Sequence, residues 1–343
     1  MPASRIARTL AVATIASTAV GFAVPAGAAG NSYKVTPLVT NKSGAPTVDK
    51  DLLNPWGMAQ GPSTPVWVSD NHSGKSTLYS DSSNPKVPLT VTIPGGDPTG
   101  QVYNTFNGFM AGGSPSSFIF DSESGVLSGW SSGAQAFKAK TVTNAIFKGL
   151  AIANVNGKPR LYATDFHHGK VDVFDSNWAM VKSTTAFHDA KIPTGFAPFG
   201  VAALNGNIYV TYAKQDSARE DDAHGPGRGF VDIYSTTGKL MTRLISRGAL
   251  NSPWGLEMAP SGWGAFGGDL LVGNFGDGKI HAYDAMTGAF KGTLKNPSGQ
   301  AISLPGLWGL LFGNGTSAPA DALMFTSGPN HEADGRWGTI TAA

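Results

Sequence analysis

The sequence contains no cysteine and little charge. Asp, Glu, Lys and Arg make up only 14% of its 343 residues. Without cysteine the chain can form no disulfide bond, no thiolate zinc site, no cysteine nucleophile and no lipid anchor attached to a cysteine. No apolar run of about 18 residues follows residue 28, so we expect no membrane insertion. Low charge together with 45 Gly and 22 Pro favours many short strands joined by tight turns over a helical bundle.

The first 28 residues have the pattern of an export leader. Arg5 and Arg8 form a positive start, the apolar run from Leu10 to Val24 is too short to span a bilayer, and small residues follow it. We therefore predict a signal peptide over residues 1–28, a folded domain over 29–343 and a secreted or extracytoplasmic location. The rest of the chain has 23 basic and 23 acidic residues, because two of the 25 basic residues lie in the leader. This balance gives no electrostatic reason to expect nucleic acid as a partner.

A phrase of the form Pro–aromatic–Gly–apolar recurs along the chain. Its glycines, or those of looser copies, are Gly57, Gly100, Gly149, Gly200, Gly255 and Gly309, spaced 43 to 55 residues apart. A second phrase follows each of these marker glycines, in which a Gly precedes a strand-like alternation of residues. Four strand-like runs in about 50 residues are typical of a propeller blade. The repeat therefore predicts an all-β fold, a six-bladed β-propeller.

The ends of the chain indicate how the ring closes. The sixth repeat stops after its third strand, and a strand-like run at residues 33–40 precedes the first marker. If this N-terminal run completes the last blade, no sheet edge is left open. We predict this closure, with an open solenoid or a pair of packed sheets as the alternative.

Polar side chains recur in the hairpin between the second and third strands of several blades, on the face where the innermost strand begins. Hard cations such as Ca²⁺ bind carboxylate and amide oxygens, and Zn²⁺ binds imidazole. We expect a divalent metal, Ca²⁺ or Zn²⁺, whose predicted ligands are Asp70, Asp165, Asn274, His224 and His331. The predicted acid–base residues are His72 and His167. The predicted ligand-contacting residues are Trp56, Trp254, Trp308, Asp121, Asp222 and Glu332.

The same residues have structural explanations. Asp and Asn at the start of a tight hairpin bond their own backbone two residues further on, and repetition alone explains why they recur. His72 and His167 are not explained in this way, since a turn needs no imidazole. The tryptophans, with Phe199, either line a ligand channel or pack one blade against the next.

Four phrases carry a resemblance to a known group of proteins. They begin at Asn54 (Asn-Pro-Trp-Gly), Asp165 (Asp-Phe-His-His-Gly-Lys), Asn274 (Asn-Phe-Gly-Asp-Gly-Lys) and Gly328 (Gly-Pro-Asn-His-Glu). Nearly all of the chain after the leader resembles an uncharacterised family of secreted bacterial propellers of the NHL type. The resemblance implies a six-bladed fold and export, but no established activity.

More distant six-bladed relatives include calcium-dependent lactonases, amidating lyases with a His-bound metal and quinoprotein sugar dehydrogenases. The calcium lactonases place a Glu near the start of the first blade, and residues 54–57 contain none. His72, His167 and His331 match the lyases in residue type, without a motif that aligns.

Two functions stay open on the sequence. The first is a metal-dependent hydrolase or lyase that acts on a small extracellular molecule, and the recurring His and Asp favour it. The second is a non-catalytic propeller, expected to be a monomer, that binds a ligand, a polysaccharide or a protein through the same face. The absence of a His-Glu-x-x-His zinc motif favours the second.

Overall fold

The computed structural model describes Met1 and residues 30–343. The leader predicted over residues 1–28 therefore falls, apart from Met1, outside the described residues and stays a prediction. Helical structure within residues 30–343 is limited to two short 3₁₀ turns, Asn71–Ser73 and Gly264–Phe266. No helix in this part of the chain is long and apolar enough to cross a membrane.

Six antiparallel sheets form a ring, which confirms the six-bladed propeller. Blade 1 consists of Pro55–Ala59, Val66–Asp70, Lys75–Tyr79 and Lys86–Thr92. Blade 2 consists of Pro98–Tyr103, Phe118–Ser122, Val126–Trp130 and Phe137–Thr141. Blade 3 consists of Phe147–Val155, Lys158–Asp165 and Lys170–Asp175. Blade 4 consists of Phe196–Leu204, Asn207–Lys214, Gly229–Ser235 and Leu240–Ser246. Blade 5 consists of Pro253–Met258, Leu270–Asn274, Ile280–Tyr283 and Phe290–Thr293. Blade 6 consists of Leu307–Phe312, Leu323–Ser327, Arg336–Ala342 and Tyr33–Thr40.

The N-terminal strand completes the last blade, as predicted. Tyr33–Thr40 pairs antiparallel with the C-terminal strand, and Tyr33 lies opposite Ala342. The short strand Thr47–Val48 extends this sheet, and Met110–Ala111 pairs with Ser114–Pro115 in a small hairpin beside blade 2. Both chain ends are thereby held in one sheet, so the ring has no open seam.

The expectation of four strands in every blade is wrong for blade 3, which has three in the described structure. After Asp175 the chain turns toward blade 4 instead of adding an outer strand. Phe187 is buried there, with its ring 5.4 Å from that of Tyr162 and 5.2 Å from that of Tyr234. The segment thus covers the gap between two blades, and this burial replaces strand pairing.

The six marker glycines lie where neighbouring innermost strands come closest. A Cβ atom at Gly200 would lie 2.2 Å from the carbonyl oxygen of Trp254, and one at Gly57 would lie 2.6 Å from that of Thr99. The same relation continues around the ring to Gly309, whose Cβ would lie 2.7 Å from the carbonyl oxygen of Trp56. The repeat found in the sequence is therefore the contact that joins each blade to the next.

Apolar side chains fill the gaps between successive blades. One cluster, for example, joins blades 5 and 6 through residues such as Leu271, Leu307 and Phe325. Buried threonine hydroxyls add hydrogen bonds across these gaps, since Thr164 Oγ1 donates to the carbonyl oxygen of Phe199 at 2.7 Å. A further cluster, which is aromatic, lies in the central channel.

Candidate functional site

Aromatic side chains divide the channel into two parts. The rings of Trp56 and Trp308 stack with centroids 3.5 Å apart, and Trp254 meets both edge-on at 6.1 and 5.7 Å. The innermost strands carry a β-bulge at this aromatic–Gly step, as the register shift between Pro55 and Met58 shows in blade 1. A bulge re-aims a side chain. The tryptophans of blades 1, 5 and 6 thus pack against one another in the channel, and their contact with a ligand stays a prediction.

Above this aromatic layer, on the face where the innermost strands begin, lies a cleft that we call the upper cleft. It consists of three adjoining cavities of 320, 200 and 450 Å³. The first contains His72, the second Lys148 and the third His331. Glu332 is the residue that lines all three. Glu332 is therefore at the centre of the enclosed space on this face.

Below the aromatic layer lies a separate cavity of 620 Å³, which we call the lower cavity. It is lined by the ends of the innermost strands and includes Trp254 and Glu257. The predicted site residues other than Trp254 do not line it.

Lys148 occupies the position that four of the other five blades give to an aromatic residue. Its side chain is 1% exposed, and its Nζ donates to the carboxylates of Glu123 and, at 3.0 Å, of Asp221. The Nζ atom also lies 5.3 Å from the ring centroid of Trp56, within the range of a cation–π contact. Burial alone would lower the pKa of Lys148, but the charges of Glu123 and Asp221 raise it above its usual value. Lys148 is therefore a buried ammonium ion at the base of the cleft.

A chain of hydrogen bonds positions the carboxylate of Glu123. Trp308 Nε1 donates to Asn54 Oδ1 at 3.1 Å, and Asn54 Nδ2 donates to Asn71 Oδ1 at 3.3 Å. Asn71 Nδ2 then donates to Glu123 Oε2 at 3.0 Å, while Glu123 Oε1 accepts from Lys148. The network runs from blade 6 through blade 1 to blades 2 and 3, so several blades together fix the charged groups of the cleft.

The segment that carries Glu332 has unusual backbone geometry. Asn330, His331 and Glu332 have φ angles of 58°, 53° and 65°, which place three successive non-glycine residues in the left-handed region. The backbone N–H of Glu332 donates to the carbonyl oxygen of Gly328 at 3.2 Å, which closes a left-handed turn. Each such residue costs of order 1–3 kcal/mol, and strain of this kind concentrates at functional sites.

The pKa of Glu332 is raised from 4.5 to about 7. Burial is the largest cause, and the neighbouring carboxylates of Glu123, Asp221 and Asp222 raise it further, while Lys148 opposes them. A carboxyl group with this pKa gains and loses a proton near neutral pH.

Besides Trp56 and Trp308, four other predicted site residues line the upper cleft with Glu332. His72 lies in its first cavity, Asp222 and His224 in its second, and His331 in its third. The Nδ1 atom of His224 lies 3.6 Å from Asp222 Oδ2. Burial, the largest influence, raises the pKa of Asp222. The cleft thus combines imidazole and carboxyl groups, as the sequence suggested.

Besides Trp254, five predicted site residues do not line the upper cleft, and two of them stabilise hairpins. Asp165 accepts hydrogen bonds from the backbone N–H of His168 at 3.1 Å and contacts its Nδ1 at 2.7 Å. Asn274 donates to the carbonyl oxygen of Ala249 at 2.9 Å and to Asp277 at 3.1 Å. These bonds fit the turn explanation of the acids and amides.

The other three are Asp121, Asp70 and His167. Asp121 accepts from Thr99 Oγ1 at 2.9 Å, within the core of blade 2. Asp70 is fully buried, and burial raises its pKa well above its usual range. His167 lies beside His168, outside the described cavities. None of the three reaches the ligand space that the sequence suggested for it.

The predicted metal ligands do not fit a metal centre in this structure. Within residues 30–343, no group of three or more His, Asp or Glu side chains is close enough together to hold a metal ion. Asp165 accepts a hydrogen bond from His168, and Asn274 donates to Ala249 and Asp277. We therefore assign no step of the chemistry to Ca²⁺ or Zn²⁺, and the metal that the sequence predicts is left to a measurement of metal content.

The sequence reasoning missed Lys148, Glu123 and Asp221 as site residues. Lys148 had a usable signal, because it is the only charged residue among the six that precede the marker glycines. Asp221 had none, since only the folded chain shows that the loop after Lys214 reaches across to Lys148.

Comparison with known proteins identifies relatives of the whole chain. No protein-family model matches it. Uncharacterized protein R648 of Acanthamoeba polyphaga mimivirus is 30% identical over 335 residues, which cover 90% of this chain and 80% of that protein. Uncharacterized protein L690 of the same virus is 29% identical over 299 residues, which cover 81% of this chain and 78% of that protein.

Solved structures with a similar fold are all distant in sequence. A streptogramin B lyase has a TM-score of 0.55 and 10% identity, with 91% of this chain and 97% of that chain covered. The virginiamycin B lyase of Staphylococcus aureus has a TM-score of 0.51 and 11% identity, with 91% of this chain and 100% of that chain covered. A chain of the nidogen–laminin complex has a TM-score of 0.50 and 14% identity, with 83% of this chain and 97% of that chain covered.

These distant structures show the fold alone, whereas the viral relatives show kinship. The bacterial origin and the export that the sequence resemblance implied stay predictions. By its identity with R648 over most of both proteins, the chain belongs to an uncharacterised family of β-propellers that includes this mimivirus protein.

Proposed function

We propose that this protein is a hydrolase or lyase that transforms a small molecule in the upper cleft, with Glu332 as the acid–base residue. The observation that carries the proposal is the position of Glu332, which lines all three cavities of the cleft. Its pKa of about 7 suits proton transfer near neutral pH. The left-handed turn that holds it supports the same role.

Two hydrogen-bond donors, the ammonium group of Lys148 and the indole N–H of Trp56, belong to residues that line the same cleft as Glu332. An ammonium group has three N–H bonds, and Lys148 uses two of them for Glu123 and Asp221. The indole N–H of Trp56, which lines the same cleft, has no hydrogen-bond partner within the described residues. These donors suit a substrate with a carbonyl group, because they can stabilise negative charge that develops on its oxygen.

The roles follow from this arrangement. In the hydrolase reaction, ionised Glu332 removes a proton from water that attacks the carbonyl carbon, and it returns this proton to the leaving group when the bond between that group and the carbonyl carbon breaks. In the lyase reaction, Glu332 removes a proton from the carbon beside the carbonyl, and the proton passes to the leaving group when the bond between that group and the next carbon breaks. Lys148 stabilises the resulting negative charge, and the aromatic layer of Trp56 and Trp308 excludes water from below. Activity is therefore expected to increase as the pH rises through about 7.

A defined panel of compounds tests this proposal. The panel contains 4-nitrophenyl acetate, small lactones and quinupristin, which is bound in one of the similar lyase structures. Each compound is incubated with the wild type, with Glu332→Gln and with Glu257→Gln, and its conversion is followed by mass spectrometry. Glu257→Gln is the matched control, since it removes a carboxyl group from the opposite end of the channel.

We expect the wild type and Glu257→Gln to convert at least one compound, and Glu332→Gln to be slower by a factor of about 100 or more. Equal rates for Glu332→Gln would remove Glu332 from the mechanism. Compounds that bind but are never converted would favour the second function, a non-catalytic propeller that binds a small molecule or polysaccharide at the same cleft.

A further inference from the structure

The lower cavity is a second enclosed space with its own chemistry. Its volume of 620 Å³ lies within the range of small-molecule sites, which is about 300–1,000 Å³. Its wall is mainly aliphatic and comes from all six innermost strands. The aliphatic residues include Leu150, Ile152, Val201, Leu204, Leu256, Leu310 and Leu311.

Glu257 is the only acidic side chain among the described residues that line this cavity, and no Lys, Arg or His lines it. The carboxyl group accepts a hydrogen bond from the backbone N–H of Met258 at 2.9 Å. Burial raises its pKa from 4.5 to about 7. A charge on Glu257 would therefore lack a neutralising partner from the wall of the cavity.

Gln101, which also lines this cavity, has a buried side-chain oxygen without a hydrogen-bond partner within residues 30–343. It comes from blade 2, opposite the blade that carries Glu257, and it is 5% exposed. Its Nε2 donates to the carbonyl oxygens of Gly57 at 2.8 Å and Trp67 at 2.6 Å, which fixes the orientation of the amide. The Oε1 atom then has no hydrogen-bond partner within the described part of the chain. Buried acceptors without a partner are rare in native proteins.

We propose that the lower cavity is a second ligand site, which takes a primary amine with an apolar chain. The ammonium group binds the carboxylate of Glu257, Gln101 Oε1 provides a further acceptor, and the chain packs against the aliphatic wall. An ammonium group carries only donors, which matches a cavity whose unsatisfied groups are acceptors. The site does not depend on the function proposed for the upper cleft, since the aromatic layer separates the two spaces.

Isothermal titration calorimetry of the full-length wild type with n-hexylamine tests this site. 1-Hexanol and hexanoate are the comparison probes, because they keep the chain and change only the head group. At pH 8 we expect one hexylamine to bind per chain, at least about tenfold more tightly than either probe. Absence of hexylamine binding at millimolar concentration, or equal binding of all three compounds, overturns the proposal.

Variants locate the binding. Glu257→Gln is expected to weaken hexylamine binding by about tenfold or more and to change 1-hexanol binding by less than about twofold. Glu332→Gln, in the upper cleft, is expected to leave hexylamine binding unchanged. Unchanged hexylamine affinity in Glu257→Gln overturns the proposal. If Glu257→Gln does not fold, Gln101→Leu is used in its place. If Gln101→Leu then binds hexylamine as tightly as the wild type does, both the role of Gln101 and the proposed site are overturned.

Discussion

Replacing Glu332 with glutamine is expected to stabilise the protein at pH 8 and to leave its stability nearly unchanged at pH 4. In the folded protein the pKa of Glu332 is about 7, compared with 4.5 for the free side chain. Between these two values the folded state holds a proton that the unfolded chain has lost, so stability falls as the pH rises through this window. A difference of about 2.5 pKa units corresponds to about 3 kcal/mol, which the wild type loses between pH 4 and pH 8. The glutamine variant does not titrate and escapes this loss.

Guanidinium unfolding followed by tryptophan fluorescence measures the effect at both pH values. Glu220→Gln is the matched control, because Glu220 is an exposed acid on the loop over the same cleft, and its removal should change little. Identical pH dependence in the wild type and Glu332→Gln would refute the reasoning, since Glu332 would then titrate alike in the folded and unfolded states.

Three further predictions concern the ring, the buried lysine and the metal. Gly200→Ala is expected to cost about 3 kcal/mol, because its Cβ would lie 2.2 Å from a backbone oxygen of the next blade. Gly149→Ala, with its nearest atom at 3.2 Å, should cost about 1 kcal/mol, and equal unfolding midpoints would contradict the close approach of these strands. Lys148→Met is expected to lower the free energy of unfolding by about 3 kcal/mol at pH 8, because it leaves Glu123 without its ion-pair partner. Unchanged stability at pH 8, measured by the same unfolding assay, would show that the ion pair is not formed. Elemental analysis of protein purified without chelators should find less than one Ca²⁺ or Zn²⁺ per chain, because the described side chains form no metal-binding group. One metal per chain would contradict the observed placement of Asp70 and Asn274.

The fold was predictable because its repeat has one physical cause. At five of the six marker glycines a Cβ atom would lie within 2.7 Å of the next innermost strand, and at Gly149 within 3.2 Å, so the same residue returns in every blade. The closure was predictable because Tyr33–Thr40 precedes the first repeat, while the sixth repeat ends after its third strand. Blade 3 departs from the pattern because its last segment is used to cover the gap to blade 4, and only tertiary packing shows this.

The site was only partly predictable because hairpin acids and site acids look alike in a sequence. Asp165 and Asn274 recur for reasons of turn geometry, and their side chains bond His168 and Asp277 within their own hairpins. Glu332 and Asp222 reach the cleft because the loops that carry them fold over the channel. The ion pair between Lys148 and Asp221 joins residues 73 positions apart, and no local pattern encodes such a contact.

The most direct test of the central claim is a crystal structure of Glu332→Gln with the panel compound that the wild type converts fastest. The account predicts that the compound lies in the upper cleft, above the stacked rings of Trp56 and Trp308, with its reacting group within about 3.2 Å of the side chain at position 332. A compound bound in the lower cavity, or on the outer surface of the blades, would contradict the assignment of the upper cleft as the site of the chemistry.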